Sequence, residues 1–158
     1  MAAPAQLGPQ CSNYTVDIDG NASALRTLLG QVISANPPLI YDWNDVEPMI
    51  RLAEQYQFDH LHCKLALSIG PCTLGHPEKV FKYASQHDLE PLAKRAVGCF
   101  KGSDHWRQRE IKELRRTDFA GVTFDYALAL IRAMRVGEKP APIYTDWDQV
   151  AQVFVVRR

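Results

Sequence analysis

The amino-acid sequence predicts a mainly α-helical protein, an array of helical hairpins with one short β-strand near the N-terminus. Three observations lead to this prediction: a sequence repeat, turn residues between the repeated parts, and apolar residues at helical spacing. In the repeat, Met49–Ile69 aligns without a gap with Val80–Phe100, 31 residues further along the chain. A repeat of this length with its apolar positions in register is typical of a repeated supersecondary unit.

The segment before the repeat predicts a strand and a helix. Tyr14–Ile18 alternates apolar and polar residues, as a half-exposed strand does. The lead before it, residues 1–13, has no periodicity, and we predict that it is disordered. Asp19–Asn21 has the composition of a turn. The apolar residues that follow predict an amphipathic helix over residues 22–34, with this apolar stripe: Leu25, Leu28, Leu29, Val32 and Ile33.

The first copy of the repeat predicts two helices joined by a tight corner. Asn44, with Glu47 three residues later, has the pattern of a capping box at the start of the first helix. This helix runs to about Tyr56. A corner at Gln57–Asp59 then leads into the second helix, predicted over Asp59–Ser68.

The second copy repeats this arrangement, and further helices follow it. Pro77 and Pro91 mark two helix starts, and Asp88–Glu90 forms the corner between them. A short charged helix is predicted over Trp106–Arg115. Residues 146–155 fit either a helix or a strand. A last apolar stripe predicts a helix that ends at Gly137: Phe124, Ala127, Leu128, Ile131 and Met134.

Apolar residues of the repeat that recur at helical spacing are predicted to form the core. They are Leu52, Ala53, Tyr56, Leu61, Leu65, Phe81, Ala84, Leu92 and Ala96.

Three segments in order resemble parts of the BTB/POZ domain family. RLAEQYQFDHLHCKLA resembles the late helices of a BTB domain, where a Leu-Ala-x-x-Tyr helix is followed by a corner and a second helix. The preceding VDI and ALRTLL resemble the BTB strand and helix before that hairpin. HPEKVFKYASQHDLEPLAKRAV resembles the BACK-like helices that follow a BTB domain. The resemblance covers about residues 14–135 and is closest to the divergent BTB proteins of fungi.

The resemblance implies a domain organisation. It divides the chain into a disordered lead (1–13), a partial BTB/POZ-like segment (14–70), a BACK-like helical segment (71–136), and a linker with a C-terminal tail (137–158). The strand-rich front half of a BTB domain has no counterpart here.

The resemblance also implies a function, a non-catalytic and adaptor-like protein–protein interaction module. Since some BTB proteins are adaptors for cullin ubiquitin ligases, a cullin-type scaffold is one expected partner. The alternative is a truncated BTB protein or remnant that folds fully only with a partner chain.

Composition narrows the class of protein. Lys and Arg number 18, as do Asp and Glu, so the formal net charge is zero. This balance argues against binding to nucleic acid or to an acidic membrane surface. The N-terminus lacks the pattern of a secretory signal, and no apolar run approaches the ~20 residues of a membrane span. The four cysteines are too sparse for a disulfide framework. We therefore expect an intracellular protein, cytoplasmic or nuclear, with reduced thiols.

No catalytic, cofactor or metal site is predicted. The group richest in metal-ligand types consists of His60, Cys63, Cys72 and His76, with His62 nearby. On a helix His60 and His62 point about 200° apart and cannot chelate one ion together. A small enzyme or metal-binding domain that uses this group is a distant alternative.

The sequence argues against two further kinds of site. A Cys–His nucleophile would have to pair Cys63 or Cys99 with His87, within reach of a base and an oxyanion site. The basic run Arg107–Arg116 contains Glu110 and Glu113, which favours a solvated helix over a nucleic-acid surface.

Three tryptophans are the candidate partner-binding residues. Trp43, Trp106 and Trp147 each have polar or charged neighbours in the sequence. Large aromatic side chains near the ends of secondary-structure elements are frequent in protein interfaces. The alternative is that these side chains pack loops onto the helices.

Overall fold

The structure is a computed structural model that describes residues 22–58, 61–140 and 143–157. Within these ranges it is mainly helical, as predicted. No helix among these residues is long and apolar enough to cross a membrane. The predicted strand at Tyr14–Ile18 and the lead before it lie outside the described residues. The described residues form seven α-helices: α1 (Ala22–Ile33), α2 (Trp43–Gln55), α3 (Leu61–Ser68), α4 (Pro77–Gln86), α5 (Glu90–Cys99), α6 (Phe124–Gly137) and α7 (Trp147–Val153).

The chain between α6 and α7 forms a short antiparallel hairpin where a linker was expected. Its strands are β1 (Glu138–Pro140) and β2 (Ile143–Thr145), paired with Glu138 opposite Thr145. The segment for which the sequence allowed either a helix or a strand begins with α7 and continues as extended chain after Val153.

The two copies of the repeat turn through equivalent corners. Gln57 and Asp88, 31 residues apart, both adopt left-handed backbone conformation, with φ of 55° and 56°. In the first corner the Phe58 N–H donates to the Ala53 carbonyl at 2.8 Å, and the same bond recurs 31 residues later at 2.8 Å. This is the bonding pattern of a Schellman motif, which ends a helix by satisfying its last carbonyls. The predicted repeat is therefore a structural repeat.

Equivalent positions of the two copies are also buried alike. Pairs that are buried in both copies are Met49 and Val80, Leu52 and Tyr83, Ala53 and Ala84, Leu61 and Leu92, Leu65 and Ala96, and Ile69 and Phe100. The predicted core residues are buried, except Tyr56, which is partly buried and packs against the core.

Helix α2 begins earlier than the sequence predicted. Asp42, and not Asn44, is its N-cap: an Asp42 carboxylate oxygen accepts the Asn44 N–H at 2.9 Å. Trp43 is consequently the first helical residue. Its indole is buried and meets the ring of Tyr83 edge-on at 6.3 Å between centroids. Burial of this large side chain explains why the helix starts at Trp43.

Helix α1 has the predicted length but a different buried face. Of the predicted stripe only Leu28 is fully buried, and Leu29, Val32 and Ile33 are exposed. The buried Gln31 explains the rotation: its amide donates to the Pro38 carbonyl at 3.0 Å and accepts from the Ser68 hydroxyl at 2.7 Å. These bonds hold a polar residue inside.

Helix α6 buries a face that shares only Met134 with the predicted stripe. Phe124, predicted inside, is exposed, whereas Tyr126 is buried and packs against Phe81 and Phe154. The lack of a side chain at Gly137 allows Val150 of α7 to approach closely. The buried face of α6 consists of Tyr126, Ala129, Leu130, Ala133, Met134 and Gly137.

The predicted helix over Trp106–Arg115 is wrong. The segment consists of turns followed by a single 3-10 turn at Ile111–Glu113. The Trp106 ring is stacked on that of Phe100 with centroids 4.8 Å apart. This contact anchors the segment to the core. Contacts with the core, and not helix formation, order this segment.

Candidate interaction site

Helix α3 is apolar on two faces, and only one of them is buried. Leu61 and Leu65 point into the core. Cys63, Ala66 and Leu67 lie on a second face, where Cys63 is exposed and Leu67 is 72% exposed. An amphipathic surface helix normally carries polar residues on such a face. This second face is therefore a candidate site for another molecule.

The second face of α3 forms one wall of an open groove of about 370 Å³. The opposite wall belongs to the corner before α5 and to α5 itself, where Leu89, Leu92 and Arg95 line the groove. Arg95 is the charged residue of the lining. A Cβ on Gly70 would lie 2.8 Å from a guanidinium nitrogen of Arg95, so the glycine gives that cation its position at the end of the groove.

More exposed apolar side chains lie near the same end of α3. The Ile40 N–H donates to the Ser68 carbonyl at 2.9 Å, and the Cys72 thiol donates to the Ile40 carbonyl at 3.1 Å. These bonds place the 39–41 segment beside the end of α3. Leu39 and Tyr41, on either side of the buried Ile40, are exposed. Exposed apolar side chains thus lie near the C-terminal end of α3 as well as on its second face.

The three predicted partner-binding tryptophans are all buried. Trp43 packs on Tyr83, and Trp106 and Trp147 surround Phe100, with Trp147 edge-on at 5.2 Å. Their side chains are therefore not available for direct contact with a partner in this structure. Their positions agree with the alternative, in which the three tryptophans pack loops onto the helices. Polar sequence neighbours gave a misleading signal because each indole turns inward.

Among the described residues of the predicted distant metal alternative, the side chains do not converge. The Cys72 thiol is buried, donates to the Ile40 carbonyl, and has its pKa raised to about 11 by burial. His76 lies 3.9 Å from the Asp42 carboxylate instead, and Cys63 lines the groove. His60 lies outside the described residues, and within them no three metal-ligand side chains form a group.

A cluster of two histidines and a tyrosine was not predicted from the sequence. The rings of His62 and His87 are stacked with centroids 3.7 Å apart, and His62 Nδ1 lies 2.9 Å from the Tyr83 hydroxyl. Burial lowers the pKa of His87 to about 4 and raises that of Tyr83 above its ordinary value. His87, the candidate base for a cysteine nucleophile, stacks on His62. No sequence spacing indicated this cluster, because it joins different helices.

A second polar cluster lies above the aromatic core. The Ser103 hydroxyl donates to the Glu78 carboxylate, and His105 Nε2 lies 3.0 Å from a carboxylate oxygen of Asp118. Burial alone would raise the pKa of Asp118. Hydrogen bonds to its carboxylate from the Arg115 N–H and from His105 have the larger effect, so the pKa lies below its ordinary value. Serine and histidine thus belong to separate pairs. The Ser103 hydroxyl has a carboxylate and not a histidine as its hydrogen-bond acceptor, so Ser103 and His105 do not form a Ser–His pair.

Comparisons with protein-family models, with curated proteins and with solved structures found no match to this chain. The geometry of the site and the sequence resemblance are therefore the grounds for assigning a function.

Proposed function

We propose that this chain is a non-catalytic protein–protein interaction module of BTB/POZ type that acts as an adaptor. The observation that carries the proposal is the second apolar face of α3, with the exposed Leu67 at its centre. Apolar area left open to water is unfavourable unless a partner covers it. A groove walled by two helices is a common form of binding site for a protein segment.

The order of the helical hairpins supports the BTB/POZ assignment. Helices α2 and α3 occupy the segment that resembles the end of a BTB domain, and α4 and α5 occupy the segment that resembles the BACK-like helices that follow. A cullin-type scaffold is one partner of this class.

The chemistry of the polar clusters favours binding over catalysis. A Ser–His or Cys–His enzyme needs its nucleophile in hydrogen-bond contact with the histidine base. Ser103 bonds to Glu78, and His87 stacks on His62, so each group is occupied by a structural partner. These contacts hold segments together, and the open apolar groove is a surface feature suited to binding a partner.

Site-specific photo-crosslinking in cells that express the chain tests the proposal. A benzophenone amino acid replaces Leu67, at 72% exposure, and in a matched control it replaces Phe124 on α6, at 78% exposure. We expect a discrete crosslinked partner protein from position 67 and none from position 124. Equal crosslinking from both positions, or none from position 67, would contradict the proposal.

Partner-completed folding is a second candidate, and the exposed face of α1 favours it. Leu29, Val32 and Ile33 lie along the last turns of α1 and are all exposed. A partner chain that covers them would complete the fold. Hydrogen exchange tests this: α1 amides that exchange as fast as an unfolded peptide in the isolated chain support it, and protected amides count against it.

A further inference from the structure

The repeat makes it possible to compare the open face of α3 with the corresponding face of α5. The residues of the α3 face and of the turn after it correspond, 31 positions later, to residues of α5 and of the turn after it. Cys63, Ala66, Leu67 and Gly70 correspond to Lys94, Val97, Gly98 and Lys101.

In the second copy, this face is covered by helix α7. The Ala151 Cβ lies 3.5 Å from the position that a Cβ on Gly98 would take. Lys94 Nζ donates to the Gln152 carbonyl at 3.1 Å. Asp148 of α7 accepts from Lys101 Nζ at 2.8 Å. The second copy thus binds a short helix through small apolar contacts and a cation–carboxylate pair.

In the first copy, the corresponding face is apolar and has a cation at its end, but no described element covers it. Leu67 stands open at the position of Gly98. Lys101 of the second copy corresponds to Gly70 of the first. The guanidinium of Arg95 lies next to Gly70, so it places a cation at the equivalent position. Among the described residues no carboxylate lies within ion-pair distance of Arg95, whereas Lys101 has its partner in Asp148.

We infer that the groove between α3 and α5 binds an amphipathic helix of a partner protein that carries a carboxylate opposite Arg95. The inference rests on the proposed function and names its site and the chemistry of its partner. Apolar side chains of the bound helix lie against Leu67 and Leu92, as those of α7 lie against α5. Since α3 spans 8 residues, or about 12 Å, two turns of partner helix fill the groove.

A selection from helix-stabilised peptides tests the inference with defined probes. The library holds three-turn peptides whose inward positions vary among Ala, Val, Leu, Glu and Lys. We expect binders that carry Glu at one inward position. Affinity for the purified full chain is then measured by fluorescence anisotropy for wild type, Arg95→Glu, and Arg132→Glu, a control at an exposed position of α6.

Arg95→Glu is expected to weaken binding about tenfold, the effect of reversing one close charge pair at an interface. Replacing the Glu of the peptide by Lys should then restore binding to Arg95→Glu. Gly70→Ala, which displaces the guanidinium without introducing a charge, should weaken binding while the unfolding midpoint stays unchanged.

A library without binders, binders without an acidic residue, or equal binding to Arg95→Glu and Arg132→Glu would overturn the inference. If the peptide experiments fail but a partner is still crosslinked at position 67, only the inference of a helical, carboxylate-bearing partner is refuted. If both the peptide experiments and the crosslinking fail, the proposed function as an interaction module is refuted as well.

Discussion

His87 lies in surroundings that disfavour its charged form. It is partly buried, and its ring is stacked on that of His62, so burial first and the neighbouring histidine second lower its pKa from 6.5 to about 4. In the unfolded chain its pKa returns to about 6.5. Between these values the unfolded state binds a proton that the folded state does not.

The first prediction concerns pH. Because the unfolded state binds the extra proton, the free energy of unfolding contributed by His87 is greatest above about pH 6.5 and falls as the pH drops towards 4. Urea unfolding between pH 7 and 4.5 should show this fall, with a shallower slope in His87→Gln. In NMR, the ring protons of His87 should titrate near pH 4. A midpoint near 6.5 would contradict the buried, stacked geometry.

The second prediction concerns the thiols. Cys63 is exposed, whereas Cys72 is buried, donates to the Ile40 carbonyl, and has a pKa of about 11. Since the thiolate is the reactive form, iodoacetamide at pH 8 should label Cys63 rapidly and Cys72 only after unfolding. Mass spectrometry of digested samples measures both rates, and denatured protein serves as the control. Equal labelling of Cys63 and Cys72 in the native chain would be the contrary outcome.

At the scale of elements, the two corners between paired helices determine how each hairpin turns. Gln57 and Asp88 occupy a left-handed conformation that favours glycine and costs other residues about 1 kcal/mol. The sequence supplies a side chain at both positions. The Asp88 carboxylate accepts from the Tyr126 hydroxyl at 3.2 Å, which compensates for the strain in the second corner.

The third prediction follows from this difference. Gln57→Gly should stabilise the protein by about 0.5–1 kcal/mol because it relieves the strain. Asp88→Gly should change stability little, since loss of the Tyr126 hydrogen bond, worth about 1 kcal/mol, offsets the gain. Denaturant unfolding of both variants measures the difference. Destabilisation by Gln57→Gly would show that the first corner is held by contacts of the glutamine side chain.

The fourth prediction tests the repeated core. Leu92, like its counterpart Leu61, is buried. Leu92→Asp or Leu61→Asp would place an unpaired carboxylate in the core, at a cost of several kcal/mol, and should abolish the cooperative thermal transition. Leu74→Asp, at a position 77% exposed, is the control and should shift stability by about 0.5 kcal/mol or less. A soluble Leu92→Asp variant that melts cooperatively would disprove the core role.

Local signals predicted the hairpins well. Pro77 and Pro91 lie at helix starts, and the corner around Asp88 lies where the turn residues placed it. Such signals act within a few residues, through fixed φ angles and capping bonds, so the sequence displays them directly. The same reasoning located the end of α2.

Local signals do not predict which faces of α1 and α6 are buried, and they do not predict the candidate site. Gln31 is buried because its side-chain amide forms hydrogen bonds with the Pro38 carbonyl and the Ser68 hydroxyl. These two groups come together only in the folded chain. The sequence does not distinguish the exposed Leu67 from the buried leucines of the same helix. That it lies on a second, open face depends on where α5 is placed relative to α3.

At the scale of the whole molecule, the two copies of the repeat are covered unequally. Helix α7 packs on both α5 and α6, and Phe81 joins Phe100, Tyr126 and Phe154 in one aromatic core. The first copy has α1 packed on α2 and α3, but no element of the described part of the chain covers the second face of α3. This asymmetry between two similar hairpins is the physical basis of the interaction proposal.

The central claim is that the chain folds by itself and presents this open face, in contrast to a chain that a partner must complete. Size-exclusion chromatography with light scattering, followed by thermal unfolding of the same peak, tests it most directly. We predict a monomer of 17.8 kDa that melts cooperatively at micromolar concentration. Aggregates, or an oligomer whose dissociation coincides with unfolding, would contradict the claim and favour partner-completed folding.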